Sequence, residues 1–259
     1  MRVPDNSATA TLAYEEVKKR ITDLRYPPGT KLSEVQLVEE LGCGRSPIRT
    51  AFARLQNDGW VLISPQSGTY VKRLSEAEIK EIYDLRLLLE IHATRLAAQN
   101  MTSEELRKLR TAFRRLAPQP GDKFSEAMFD DINELDAMFH AAVYRSSGNS
   151  LITAILLDLL EKVQWLKTAS PSPPNRMKQW CAELGSVLDA LERRDPDAAA
   201  TLMFEHIGHA ADSGFEYRRL HAARGNEARP SRAADRTPKR KPPASRGRSA
   251  SSTQRKASR

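Results

Sequence analysis

Apolar residues near the start of the chain recur at the three- to four-residue spacing of amphipathic helices. Residues 13–24 carry such a stripe, which ends before Tyr26-Pro27-Pro28-Gly29, where two prolines and a glycine force a turn. A second helix is predicted to begin at Ser33, with Gln36 as its reciprocal capping-box partner and Gly42 as its end. The residues expected on its buried side are Val35, Leu37, Val38 and Leu41.

A third helix is predicted after only a few residues, capped by Ser46, with Pro47 in its first turn, and running to about Asn57. The residues expected to face the core are Ile48, Ala51, Phe52 and Leu55. Residues 60–64 and 69–72, joined by a glycine-containing turn, then predict a β-hairpin. This order indicates a winged helix-turn-helix, whose second helix enters the major groove of DNA. The alternative is a small three-helix domain whose surface arginines have no DNA partner.

From residue 76 to about 217 the pattern is helical almost throughout, and no segment alternates like a strand. The predicted helices are 76–99, 103–116, 125–147, 150–167, 175–193 and 195–211. Thr102 and Glu105 fit a capping box at the start of the second of these. We therefore expect a mainly α protein, with a winged helix-turn-helix over residues 8–74 and an all-helical antiparallel bundle over residues 75–221.

The positive charge of the chain is concentrated at its C-terminal end. The 259 residues contain 41 Lys and Arg against 33 Asp and Glu, a formal charge of +8. Residues 222–259 alone carry +10, which leaves residues 1–221 at −2. This tail has no aromatic residue and no apolar periodicity, so we expect it to be disordered. Such a tail can bind DNA non-specifically by counterion release. The alternatives are a solvated segment without a role and a segment that binds other anionic partners.

Cysteine content and hydropathy exclude several classes of protein. Cys43 and Cys181 are lone and far apart, which excludes a disulfide scaffold and a cysteine-type zinc site. The longest apolar stretch, residues 151–160, is too short to span a bilayer and contains Asp158. The first residues lack the apolar segment of a secretory signal. We therefore expect a cytoplasmic protein without a membrane partner.

Residues 37–60, Leu-Val-Glu-Glu-Leu-Gly-Cys-Gly-Arg-Ser-Pro-Ile-Arg-Thr-Ala-Phe-Ala-Arg-Leu-Gln-Asn-Asp-Gly-Trp, resemble the DNA-binding domain of GntR-family bacterial transcription regulators. Tyr-Pro-Pro-Gly-Thr-Lys-Leu-Ser before them and Ser-Gly-Thr-Tyr-Val after them are also similar to that family, so the resemblance covers residues 12–73. It implies that Arg45 and Arg49 contact operator bases or phosphates. It also implies that the wing tip at Gly68 approaches the minor groove.

The same resemblance implies that Ser46, Thr50 and Arg54 belong to the DNA-binding surface, with Arg54 on a phosphate. A surface arginine of the helix is the alternative for Arg54. The chain has Gly44 where the family usually has Ser, and Thr50 where it usually has Glu. Both differences remove a polar or acidic feature at the start of the helix. We therefore expect the base preference to shift while DNA binding survives.

The helical body resembles the FCD domain, the effector domain of one large GntR subfamily. The residues that carry this resemblance are 85–90, 136–140, 148–151, 190–195 and 203–206. Membership implies dimerisation through the body and a small organic acid as the ligand. It also implies that a metal is held in the bundle by one Asp and three His, as in many such domains.

The metal ligands of the family are matched only in part. Asp136 and His140 are four residues apart and share a helix face, as two ligands of one metal should; an ordinary helical ion pair is the alternative. His206 matches the ligand of the last helix. Leu184 replaces the remaining histidine, so three ligands are left to hold zinc or nickel, with water or effector completing the coordination. His209 could substitute only if its helix presents both histidines inward.

Arg86 and Glu90 are predicted to lie on the same face of the first body helix. A buried Arg86 could bind the carboxylate of an effector, and a structural Arg–Glu pair is the alternative. We expect the tryptophans, Trp60, Trp165 and Trp180, to be core or interface residues and not ligand platforms.

These features together predict a ligand-responsive transcription regulator and not an enzyme. We expect a homodimer that represses by binding double-stranded operator DNA at the nucleoid and is released by a small organic acid. One alternative is a DNA-binding protein whose degenerate effector domain no longer senses a ligand. Another is a metal-dependent enzyme fused to a DNA-binding head, which would need a general acid or base beside an open metal position. No such motif accompanies Asp136 and His140.

Overall fold

The computed structural model describes residues 6–119, 121–123, 125–170 and 172–227. In chain order these form α1 (Asn6–Thr22), β1 (Lys31–Leu32), α2 (Glu34–Leu41), α3 (Arg45–Asn57), β2 (Val61–Ser64), β3 (Gly68–Val71), α4 (Glu76–Asn100), α5 (Ser103–Leu116), α6 (Glu126–Ser146), α7 (Ser150–Ala169), α8 (Pro174–Glu192) and α9 (Pro196–Glu227). The predicted fold class is confirmed: a winged head precedes an all-helical body. None of the helices described here combines the length and apolarity that crossing a membrane requires.

The head is a three-helix core beside a three-stranded antiparallel sheet with strand order β1-β3-β2. Helix α1 packs on α3, and the residues predicted to face the core from α3 are all buried. Strand β1 was not predicted, because two residues are too few to show an alternating pattern. The prediction for α2 was partly wrong: Leu37 is buried, but Val35 is exposed, since this short helix turns one narrow face inward.

Two predicted helix caps in the head were wrong in detail. Ser33 does cap α2, accepting a bond from the Gln36 backbone, and Gly42 ends it with φ +62°. The Gln36 side chain, however, bonds to Glu40 at 2.6 Å and does not complete a capping box. Ser46 does not cap α3, because the helix begins two residues earlier than predicted, at Arg45, and Gly44, which has no side chain, occupies the capping position.

The body is a bundle of α4 to α9 around one apolar core. The capping box of Thr102 and Glu105 is confirmed, and Ser75 and Glu78 form a second one at the start of α4. Helix α9 continues to Glu227, so the first residues of the predicted disordered tail are helical. The rest of that tail, residues 228–259, lies outside the described residues.

The head and the body meet at α7. Trp165 of α7 is buried in the apolar core of the head, with its ring centroid 5.6 Å from that of Trp60. Lys18 of α1 forms an ion pair with Glu161 of α7 at 2.5 Å. Trp180 is buried in the body. The expectation that the tryptophans are core or interface residues is thus confirmed.

Candidate functional site

The exposed side of α3 carries the residues predicted to read DNA. Arg45, Ser46, Arg49 and Thr50 are all exposed, while the opposite side of the helix is buried against the head core. The Arg49 Nε lies 3.0 Å from the Glu34 carboxylate of α2, and the Arg49 side chain is 67% exposed. The structure thus presents two arginines at the start of α3, where a recognition helix contacts base edges.

Arg54 lies at the other end of α3, where it contacts α1. Its Nη1 donates a hydrogen bond to Thr11 Oγ1 at 3.1 Å, and its guanidinium lies 4.4 Å from the Tyr14 ring centroid. This packing gives Arg54 a structural role between the two helices. Its predicted phosphate contact stays a prediction.

The tip of the wing is built around Gly68. The residue has φ +124°, and a Cβ added there would lie 2.8 Å from Lys31 Cε. The positive φ favours glycine at this turn, and the end of the Lys31 side chain from β1 lies close beside it. The exposed Lys31 ammonium lies 5.8 Å from the Tyr70 ring centroid. Sequence reasoning missed Lys31 as part of this surface, because the strand that brings it there was not recognised.

A second set of charged side chains lies inside the body bundle. The structure brings together the three predicted metal ligands, Asp136 and His140 of α6 and His206 of α9, with ligand atoms within 4.8 Å of one another. All three side chains are buried. The Asp136 Oδ1 and His140 Nε2 atoms lie 3.8 Å apart, and neither has a hydrogen-bond partner among the described residues. We call these three residues the Asp-His-His cluster.

A glutamate carboxylate lies next to the Nδ1 atom of each histidine of the cluster. His140 Nδ1 lies 2.9 Å from Glu90 Oε2, and His206 Nδ1 is hydrogen-bonded to Glu183 Oε2 at 3.0 Å. This arrangement leaves both Nε2 atoms for a ligand, as in metal sites where a carboxylate orients each imidazole. The donor atoms present therefore fit a divalent cation bound through three protein ligands.

The fourth ligand expected from the family is missing. Leu184 is 1% exposed and packs in the core, and its side chain has no atom that can coordinate a metal. His209 does not take its place: the residue is exposed, and its Nδ1 contacts Glu183 Oε1 at 3.0 Å on the outer side. The condition for His209 to replace the missing ligand, that its helix presents both histidines inward, is therefore not met: His206 is buried and His209 is exposed.

Helix α7 holds the other oxygen of Asp136. Gln164 Nε2 and Lys167 Nζ donate to Asp136 Oδ2 at 2.7 and 2.6 Å. Neither was singled out from the sequence, where both look like ordinary polar residues of an amphipathic helix. Trp165, which lies between them in sequence, is the residue that enters the head core.

Arg86 and Glu90 form a buried pair next to the cluster. Arg86 Nε donates to Glu90 Oε1 at 2.5 Å, and both side chains are at most 2% exposed. Of the two alternatives raised by the sequence, the structural pair is present. The other oxygen of Glu90 faces His140, so the pair also links α4 to the cluster.

Burial and neighbouring charges set the protonation states of these groups. Burial raises the pKa of Asp136, but the attraction of Lys167 and the histidines outweighs it and holds this pKa well below its usual range. Burial lowers the pKa of His206 to about 4, although the hydrogen bond to Glu183 acts in the opposite direction. At neutral pH Asp136 is therefore an anion and His206 an uncharged imidazole, the forms that bind metals.

Comparison with known proteins agrees with both halves of this architecture. The family model described as "Bacterial regulatory proteins, gntR family" matches residues 9–71, and the FCD domain model matches residues 81–209. Relatives include the HTH-type transcriptional repressor RspR of Escherichia coli (strain K12), 27% identical over 203 residues, covering 77% of this chain and 86% of RspR.

Two further proteins extend the comparison. A probable D-xylose utilization operon transcriptional repressor of Paenarthrobacter nicotinovorans is 29% identical over 206 residues, covering 78% of this chain and 86% of that protein. The fold is shared with the crystal structure of a putative transcriptional regulator GntR from Rhodococcus sp. RHA1, with a TM-score of 0.68, 18% identity, and coverage of 81% and 98% of the two chains. The chain therefore belongs to the GntR family of bacterial regulatory proteins and is a ligand-responsive, DNA-binding transcription regulator with an FCD domain.

Proposed function

We propose that this regulator is a repressor that binds operator DNA as a homodimer and releases it when a small organic acid enters the Asp-His-His cluster. The proposed ligand response rests on the observation that helix α7 contacts both the cluster and the head. Gln164 and Lys167 bond to Asp136, while Trp165 lies in the core of the head. A ligand that displaces α7 therefore also acts on the head, and it shifts the population of head arrangements that fit the operator.

In the proposed DNA complex α3 lies in the major groove. Arg45 and Arg49 would donate to base edges or phosphates, with Ser46 and Thr50 beside them at the same exposed end of the helix. Arg49 would leave its exposed ion pair with Glu34, which costs little because such pairs contribute about 0–1 kcal/mol. The wing would follow the adjacent minor groove.

The wing contributes through Gly68 and the exposed cation next to it. Gly68 allows the backbone of the wing tip to approach DNA closely, and Lys31 beside it would contact a phosphate. Arg54 would contact a phosphate from the far end of α3 while keeping its packing on Tyr14. As an operator-bound protein, the regulator would act at the nucleoid in the cytoplasm.

We further propose that Asp136, His140 and His206 hold a divalent metal, zinc or nickel. Bound there, the metal would supply a positive centre with open coordination positions for a carboxylate. Glu90 and Glu183 would keep the two imidazoles oriented. Arg86, a neighbour of the cluster through Glu90, is the group we assign to a further carboxylate of the acid, because its guanidinium carries N–H donors beyond the Nε that Glu90 uses.

The proposed dimer would form through the body. Among the described residues, α4 and α7 each expose a large apolar side chain that a twofold interface would cover: Leu88 is 72% exposed and Leu151 76%. Two copies related by a twofold axis would present two heads to the half-sites of a pseudo-palindromic operator.

Leu184 favours one alternative, a body that no longer senses a ligand, because it removes a metal ligand that the family provides. We propose no catalytic activity, since the family to which the chain belongs consists of transcription regulators.

The experiment combines a thermal-shift screen of small carboxylic acids, with and without zinc or nickel, and operator release measured by fluorescence anisotropy. We expect at least one acid to raise the melting temperature and to weaken operator binding. His140→Ala should abolish the response, whereas His92→Ala, at an exposed position on α4, should retain it. Tighter operator binding with an acid would contradict repression by release. No response to any acid would favour the non-sensing alternative, and turnover of an acid would favour an enzyme.

A further inference from the structure

The Asp-His-His cluster has a cation of its own in Lys167. The Lys167 ammonium lies 2.6 Å from Asp136 Oδ2, and its side chain is only 10% exposed. On another side the ammonium lies 4.8 Å from the Trp180 ring centroid, a favourable position for a cation over an aromatic face. Lys167 is therefore fixed inside the bundle and does not extend to solvent.

The buried charges next to the cluster are already balanced without any ligand. Arg86 pairs with Glu90, and Lys167 pairs with Asp136, so each of these carboxylates has a fixed cation at hydrogen-bond distance. Position 184 adds an apolar side chain where the family has a further ligand. The cluster thus has one metal ligand fewer than the family provides. In addition, the Lys167 ammonium is paired with Asp136, the carboxylate that a metal would use.

Two cations that share one carboxylate in a poorly solvated interior repel each other strongly. We propose, on the basis of the metal site in the proposed function, that Lys167 competes with the divalent metal for Asp136. Lys167 thereby keeps the metal-free cluster folded and makes metal binding weak and reversible. In this role Lys167 is a residue that determines metal affinity, not a ligand.

The test is titration calorimetry of zinc and nickel into the full-length protein after removal of metal by a chelator. Lys167→Met should bind the metal at least tenfold more tightly than the unmodified protein. Lys167→Gln, which keeps a donor for Asp136 but removes the charge, should show the same direction and serves if the methionine variant does not fold. Lys162→Met is the matched control, because Lys162 lies on the same helix but pairs with the partly exposed Asp158. Its affinity should stay unchanged.

Melting temperatures measured with and without metal give a second readout. They distinguish a lysine that competes with the metal from a lysine that only stabilises the fold. Without metal, Lys167→Met should melt at a lower temperature than the unmodified protein. Saturating metal should raise the melting temperature of Lys167→Met by more than it raises that of the unmodified protein. Weaker or unchanged metal affinity in both Lys167 variants would overturn this inference but not the proposed metal site. No binding in any variant would overturn the inference and the proposed metal, and it would leave release by an acid unaffected. Binding only in the Lys167 variants would support the inference.

Discussion

At the scale of single residues, His206 is an imidazole that the fold keeps uncharged. It is buried, and its Nδ1 is hydrogen-bonded to Glu183, which also pairs with Arg176 at 2.7 Å. Burial lowers the pKa of His206 to about 4, because the charged form loses its hydration. The hydrogen bonds to His206 and Arg176 lower the pKa of Glu183 to about 2, although its burial acts against them.

The metal-free protein should lose stability in mild acid. The unfolded chain protonates His206 near pH 6.5, whereas the folded protein does so only near pH 4. The titration of His206 should therefore lower the free energy of unfolding as the pH falls from about 6.5 towards 4, and its own contribution is at most about 1.4 kcal/mol per pH unit. Urea unfolding at several pH values, with a chelator present, measures this slope. His206→Gln should flatten it, and an equal slope in that variant would contradict the assignment.

Removal of Arg49 should weaken specific DNA binding. The side chain is exposed on α3 and forms a surface ion pair with Glu34. If Arg49 donates to a base, Arg49→Ala should cost about 1–3 kcal/mol, or roughly 5- to 150-fold in operator affinity, with less effect on a scrambled duplex. Fluorescence anisotropy at one fixed salt concentration measures both. Arg107→Ala, an exposed arginine of the body, should change neither, and equal losses on both duplexes would indicate a phosphate contact.

Local spacing made part of the buried site predictable. Asp136 and His140 stand four residues apart, and His206 matches a family position, so these residues could be chosen from the sequence alone. Lys167 could not be chosen, because Lys162 on the same helix has the same chemistry and also pairs with an acidic residue. Only the packing of α7 against α6 makes one lysine internal and leaves the other near the surface.

At the scale of elements, helix ends were predictable where a side chain completes the pattern. Thr102 and Glu105 form the expected box, because Thr followed three residues later by Glu satisfies two backbone groups at once. Ser46 misled the prediction, since Gly44 can occupy the capping position without a side chain. Strand β1 escaped prediction because its pairing with β3 depends on residues far away in the chain.

The cap at the start of α4 should contribute measurably to stability. Ser75 Oγ accepts a bond from the Glu78 backbone, and the Glu78 carboxylate accepts from the Ser75 backbone and from Lys72. Ser75→Ala should lower the free energy of unfolding by about 1 kcal/mol, measured by urea denaturation. Ser186→Ala, at an exposed position within α8, is the control and should be nearly neutral. An equal loss in both variants would indicate that the cap is not the cause.

At the scale of the whole molecule, the sequence predicted a winged helix-turn-helix followed by a helical body, but not the contacts that join them. Helical periodicity is a local property, so most helices could be located from it. The contact of Trp60 with Trp165 joins residues far apart in the chain, and no local pattern contains it. The uneven distribution of charge could be read from the sequence by counting residues: residues 1–221 carry −2, and residues 222–259 carry +10.

Removal of residues 228–259 should reduce the salt dependence of DNA binding. This segment contains eleven basic residues and one acidic residue, so any of them that neutralise phosphates release counterions from DNA. Truncation should make the plot of log affinity against log salt concentration less steep, for operator and random DNA alike. Because the tail contributes equally to both duplexes and the operator contacts of α3 are retained, the ratio of the two affinities should stay about the same. An unchanged slope would show that the tail does not bind DNA.

The position of the tryptophans gives the protein an optical signal of its own. Trp60 and Trp165 face each other across the junction, and Trp180 lies beside Lys167 next to the Asp-His-His cluster. These are the three indoles of the chain. The tryptophan fluorescence of the chain therefore originates at the two ends of the proposed signal path, where a ligand enters and where the head responds. Single Trp→Phe variants would separate the two ends, so the order of the two events could be followed in time without an attached dye.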